Sequence, residues 1–212
     1  MVHLRIDPLR FQIDELLPAV SAIAAGGLVA FPTDTFYGLG ADPRSSVAVS
    51  RLFLSKQRPG DRPIPLVAGS IEQVRESVGT LTPLADRLAL AWWPGPLTLI
   101  IPASQALCRE VHLGTGKVAV RVPDHAVARA LALAVGHAVT STSANVSGGE
   151  PPVTADEVEL TLGDGLGARD VLIDAGPLKG GLPSTIVDVT GAAPVLVRAG
   201  AVPWDRVLKF LH

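Results

Sequence analysis

The sequence predicts an α/β chain built on a mixed sheet. Segments of strand character alternate with segments of helical spacing over the first two-thirds. Strands dominate the last third, and no repeat, low-complexity tract or linker interrupts the run. At 212 residues the chain has the length of one domain with one sizeable core, so a single unit spanning 1–212 is expected.

Residues 2 to 7 read as a short strand. Residues 14 to 25 read as a helix stopped by Gly26-Gly27, which suit a left-handed helix end. "LVAF" (28 to 31) is a buried strand, and 45 to 56 is a helix with Ser45 as a candidate cap. "IPLVA" (64 to 68) is a strand, followed by helices near 70 to 78 and 82 to 93. Strands are expected at 96 to 103 and 117 to 123, the second with alternating character. A helix at 124 to 135 leads into the strand "HAVTST". A helix at 154 to 162, strands at 171 to 174, 185 to 189 and 194 to 198, and a helix from 203 complete the chain.

Hydrophobic residues make up 48% of the chain but aromatics only 4%, so Ala, Val and Leu must fill the core. The formal net charge of −2 gives no global positive field, and any anion site must be local. With Cys108 alone there is neither an intrachain disulfide nor a cysteine-rich zinc site. The first residues carry acids where a signal peptide needs an unbroken apolar run. The most apolar region is cut by Pro94-Gly95-Pro96 and is too short on either side to span a membrane. A soluble, cytoplasmic protein is therefore expected.

The familiar nucleotide motifs are absent. "GTGKVAV" lacks the upstream glycine and following hydroxyl of a phosphate loop, and "GDGLGA" precedes a strand where a dinucleotide fingerprint follows one. Both read as turns. No Gly-x-Ser-x-Gly elbow occurs, and His125 and His137 read as helix-surface or packing residues.

Other segments carry more chemistry. In "AFPTDTFYGLG" an apolar strand ends in Thr33, Asp34, Thr35, Tyr37, Gly38 and Gly40, far more than a plain turn needs. In "KQRPGDRP", Lys56, Arg58 and Arg62 fit either cations at a helix end followed by a solvated loop, or a proline-stiffened clamp for phosphates. In "STSANVSGGEPP", Ser141, Thr142, Ser143, Asn145 and Ser147 crowd one loop, and Gly148-Gly149 let its backbone turn close to a ligand. A turn into the next helix, with capping hydroxyls, is the other reading. Arg121, Ser184 and Arg198 stand near further strand ends. Each alone fits a sheet-edge pair. Several strand ends offering hydroxyls or guanidiniums are what a cleft beyond the sheet edge needs.

Taken together, "GGLVAFPTDTFYGLGAD", "KQRP", "WPGPLTLI", "VAVRVPDH", "STSANVSG", "STIVD" and "VLVRAG" resemble, in order and spacing, the YrdC-like threonylcarbamoyl-AMP synthases. The resemblance covers nearly the whole chain. It implies a twisted open mixed sheet flanked by helices, with a concave basic cleft. It also implies an enzyme that makes L-threonylcarbamoyl-adenylate and pyrophosphate from ATP, L-threonine and bicarbonate or CO2. Transfer-complex proteins would then carry the threonylcarbamoyl group to adenosine 37 of ANN-decoding tRNAs, giving t6A.

By matching position, Thr35, Arg121, Ser141 and Ser184 resemble the family's threonine site. Lys56, Arg58, Arg62, Lys117, Ser143 and Arg198 resemble its nucleotide and phosphate site, with Asn145 supporting the loop and Lys56 and Arg58 as the catalytic cations. Two positions depart from the pattern. Val67 stands where longer members often carry a histidine, and Lys117 where a smaller hydroxyl residue is common, which favours a backbone contact there. The chain ends soon after Arg198, like the short, single-domain type. Mg²⁺ is expected to arrive with ATP, since no carboxylate cage is visible. Alternatives are a related carbamoyl-adenylate-forming enzyme and a non-catalytic RNA-binding module, whose RNA binding would fall with salt. Direct contact with tRNA is left open by the sequence under either reading.

Overall fold

The computed structural model describes residues 1–57, 60 and 62–211. In chain order the first strands are β1 (Val2–Arg5), β2 (Val29–Phe31), β3 (Gly38–Gly40), β4 (Leu66–Val67), β5 (Leu97–Pro102) and β6 (Lys117–Arg121). They are followed by β7 (Val139–Thr140), β8 (Thr142–Ser143), β9 (Val171–Asp174), β10 (Thr185–Asp188) and β11 (Val195–Arg198). The helices are α1 (Leu17–Ala24), α2 (Ser46–Ser55), α3 (Ile71–Ser77), α4 (Pro83–Trp92), α5 (Arg109–His112), α6 (Ala126–Val135), α7 (Ala155–Leu162) and α8 (Trp204–Leu211). Ser45 caps α2 by accepting from the Ala48 amide at 3.2 Å. Gly136 ends α6 in the left-handed conformation at φ 84°.

The class is mixed α/β, but the strands fall into two sheets where the sequence suggested one. Among the described residues the orders are β1-β9-β2-β3-β8 and β11-β10-β5-β6-β4-β7. Both mix parallel with antiparallel pairs. The expected strand "HAVTST" shows why they separate. β7 pairs with β4, Thr140 opposite Leu66, whereas β8 pairs with β3, Thr142 opposite Leu39. Ser141 is thus the step between sheets, its amide donating to the Pro65 carbonyl at 2.8 Å. The stretch around Gly38 and Gly40, where the sequence suggested only the end of a strand, forms β3. A Cβ on Gly40 would stand 2.8 Å from the Phe31 ring, so glycine lets β2, β3 and β8 close up.

Alternation along the second sheet decides which side chains face the core and which face outward. Leu97, Leu99, Val118, Val120 and Val187 point into the main apolar cluster. Their neighbours Thr98, Ile100, Ala119, Arg121 and Ile186 therefore share the opposite face, in register: Ile186 beside Thr98, and Ile100 beside Ala119. A second apolar cluster joins Ala19 and Ile23 of α1 and Leu131 of α6 to Val29 of one sheet and Val139 of the other. It packs the two sheets into one body and leaves a cleft between them. No helix among the described residues is long and apolar enough to cross a membrane.

Candidate active site

The cleft has a volume of about 970 Å³ and draws its lining from both sheets and from the loop after β8. Of the residues assigned to threonine, Thr35, Arg121, Ser141 and Ser184 all line it. Of those assigned to the nucleotide, Lys56, Arg62, Ser143, Asn145 and Arg198 line it as well. Lys117 is not among the lining residues; its ammonium pairs with Asp188 at 3.1 Å. Arg58 lies outside the described residues.

Arg121 is 7% exposed and fully committed on one side. Its Nη1 donates to Asp34 Oδ1 at 2.5 Å, and its Nη2 donates to Thr33 Oγ1 and Thr35 Oγ1, each at 3.1 Å. Thr33 spends its own proton on the Phe36 carbonyl at 2.7 Å. The contact between the Thr33 and Thr35 hydroxyls must therefore run from Thr35, whose proton is also free to turn toward a ligand. Burial pushes the Arg121 guanidinium down from the usual arginine range, while the Asp34 carboxylate pulls it back up. Asp34, to which the sequence assigned no binding role, is the counter-ion of the site.

Arg198 approaches from β11. Its Nε and Nη2 donate to the Ser184 carbonyl at 3.1 and 2.8 Å, and Nη2 reaches Ser184 Oγ at 3.0 Å. Burial lowers its pKa, and the positive charge of Arg121 lowers it further. Two guanidiniums thus converge on one cleft, and Arg198 is held by a carbonyl and a hydroxyl rather than a carboxylate. Such an arrangement favours an anion. A register shift between Ile186 and Val187 sets Val197 beside Arg198 in the lining.

Lys56 ends α2, as expected, but it is not a solvated cation. It is 2% exposed, and its ammonium donates to the carbonyls of Ser143 and Asn145. The Ser147 amide returns a bond to the Lys56 carbonyl at 3.0 Å. Asn145 closes the same loop, its Nδ2 donating to the carbonyls of Val146 at 2.8 Å and Gly149 at 2.7 Å. Asn145 Oδ1 is buried without a hydrogen-bond partner among the described residues. Gly148 turns this loop at φ 88°, where a side chain is strained.

Sequence reasoning missed Thr98 and the structural part played by Tyr37. Thr98 is 2% exposed, lines the cleft and lies 2.8 Å from Ser184 Oγ. A lone hydroxyl inside the apolar run "LTLII" was the available signal. The Tyr37 hydroxyl donates to the Gly176 carbonyl at 2.8 Å and accepts from the Ala175 amide at 3.2 Å. Burial pushes its phenol up to about 12, so it stays neutral and ties the cleft wall to the segment after β9. His125 and His137 stay outside the cleft lining, as the sequence suggested. Among the described residues no group of three or more His, Cys, Asp or Glu side chains could hold a metal ion.

The Sua5/YciO/YrdC family model, described as "Telomere recombination", matches residues 21–200. The chain belongs to this family. It is 38% identical over 205 residues to a threonylcarbamoyl-AMP synthase of Pyrococcus abyssi, covering 96% of this chain and 59% of that protein. It is 40% identical over 196 residues to a putative threonylcarbamoyl-AMP synthase of Mycobacterium tuberculosis, covering 92% of this chain and 88% of the relative. The crystal structure of P. abyssi Sua5 complexed with L-threonine superposes with a TM-score of 0.90 at 35% identity, covering 99% of this chain and 60% of that one. The chain thus spans about three-fifths of the archaeal family member and most of the mycobacterial one. These family members carry the name of a nucleotidyltransferase-type enzyme.

Proposed function

We propose that this protein is an L-threonylcarbamoyladenylate synthase that uses ATP, L-threonine and bicarbonate or CO2 and releases pyrophosphate. One observation carries the reading: a single cleft holds hydroxyls backed by guanidiniums beside a loop tied down by a buried lysine. Support also comes from the family and from the L-threonine complex of a family member. The amino-acid carboxylate fits Arg121 and the Thr35 hydroxyl, because a partly desolvated guanidinium gains most from a planar anion. Val67, buried and lining the cleft, supplies apolar surface for the threonine methyl. Between the polar residues runs an apolar shelf of Ile100, Ala119, Ile186 and Val197. It suits a nucleobase, with the phosphates toward Lys56, Arg62, Ser143 and Arg198.

The chemistry asks for charge management rather than a protein nucleophile. The threonine amine adds to CO2, forming an N–C bond and releasing one proton. A carbamate oxygen then attacks the α-phosphorus of ATP, and the bond to pyrophosphate breaks. Bringing a carbamate against a triphosphate crowds negative charge, which positioned cations offset. Mg²⁺ arriving with ATP would add positive charge to that task. The product is the activated donor for t6A at adenosine 37 of ANN-decoding tRNA, handed to transfer proteins. The test is pyrophosphate release with each component withheld in turn. Release that needs both L-threonine and bicarbonate supports the reading. Release that ignores either one removes it.

A further inference from the structure

We infer that Thr98 is a positioning residue of this cleft, sharing a hydrogen bond with Ser184 so that the two hydroxyls together present one proton to an acceptor oxygen of the amino-acid substrate. The inference rests on the amino-acid reading above.

Counting protons leads to it. Thr98 Oγ1 and Ser184 Oγ lie 2.8 Å apart, with Thr98 2% and Ser184 7% exposed. Arg198 Nη2 donates to Ser184 Oγ at 3.0 Å, and a guanidinium has nothing to accept with. The two hydroxyls own two protons, and the link between them uses one. Among the described residues no other side-chain bond is made by Thr98, so the second proton is left over. If Thr98 donates to Ser184, the Ser184 proton points into the cleft. If Ser184 donates to Thr98, the Thr98 proton does. Either way one donor faces the cleft, where a ligand acceptor can meet it.

Strand geometry explains why this pair faces the ligand. Leu97 and Leu99 turn into the core, so Thr98 between them must turn out, beside Ile186 of β10. Ser184 immediately precedes β10 and is pinned through both its carbonyl and hydroxyl by Arg198. Without Thr98 Oγ1, Ser184 keeps Arg198 but its proton is free to rotate. The donor survives and its direction is lost.

Thr98→Val keeps the shape and removes the hydroxyl; Thr98→Ser keeps the hydroxyl. Calorimetric titration should show L-threonine bound about ten-fold more weakly by Thr98→Val, with Thr98→Ser restoring it to within about two-fold. Affinity for a non-hydrolysable ATP analogue should not change in either variant. In the Ser184→Ala background, where Thr98 has lost its partner, Thr98→Val should change threonine affinity by a different factor than in the wild type. Undiminished threonine binding by Thr98→Val would overturn the inference. So would equal weakening of both ligands, failure of Thr98→Ser to restore binding, or equal factors in the two backgrounds. A wild type that binds no L-threonine at all would overturn the amino-acid reading and this inference with it, and is distinguishable from the variant outcomes.

Discussion

Removing either member of the Asp34–Arg121 pair should destabilise the fold far more than removing both in proportion. Their side chains are 12% and 9% exposed, with Nη1 to Oδ1 at 2.5 Å. Among the described residues Asp34 Oδ2 already lacks a hydrogen-bond partner, so the carboxylate has little to replace the guanidinium. Arg121→Met leaves that charge buried alone, and Asp34→Asn does the same to Arg121. Breaking a buried pair from one side costs about 3–5 kcal/mol. For a chain of this length that is a fall of roughly 6–20 °C in thermal midpoint. The double variant Asp34→Asn/Arg121→Met strands no charge, so it should be more stable than the sum of the singles by about 2 kcal/mol. Urea unfolding of all four proteins closes the cycle. Additive losses, or single variants within about 1 kcal/mol of wild type, would refute the buried-pair argument.

Thr35→Val and Ser184→Ala should weaken L-threonine binding by about 1–3 kcal/mol while leaving nucleotide affinity near wild type, since each removes a buried hydroxyl from the amino-acid end. Titration of both ligands checks this, and equal losses would contradict the division of the cleft. Lys56→Met should loosen the loop from Ser143 to Gly149, because two carbonyls lose their ammonium donor. Hydrogen exchange at the Ser147 amide should speed up, and unchanged protection would count against the tether. Burial holds the His125 imidazole below an ordinary histidine's 6.5, with Asp34 pulling it up and Arg129 pushing it down. The unfolded chain then takes up a proton that the folded chain refuses, so stability is complete above pH 6.5 and declines as pH falls through the folded value. His125→Asn should flatten that decline in urea unfolding from neutral to mildly acidic pH; an unaltered slope would contradict it.

The elements with strong periodicity were legible in the sequence. The alternation of β6 and the capped, apolar-faced α2 stand close to where local pattern puts them. The division into two sheets was not, because Val139 to Ser143 reads as one strand and only its partners in β4 and β3 show that it changes sheet at Ser141. β3 was hidden because two of its three residues are glycines, which signal turns locally but here permit close packing against Phe31. In the cleft, hydroxyls and cations in unusual clusters were visible as candidates. Long-range pairing decided their surroundings: Lys56 turned inward to carbonyls 87 and 89 residues away. Lys117, equally conspicuous in sequence, turned toward Asp188. Thr98 escaped notice because a threonine in a strand needs no explanation until its neighbour across the sheet is known.

The most direct measurement is mass spectrometry of a reaction containing this protein, ATP, L-threonine and ¹³C-labelled bicarbonate. The product should be threonylcarbamoyl-adenylate with the label in its carbamoyl carbon, formed together with pyrophosphate and lost when L-threonine is left out. ATP consumed without a labelled adenylate, or no turnover by a protein that binds both ligands, would contradict the proposed activity.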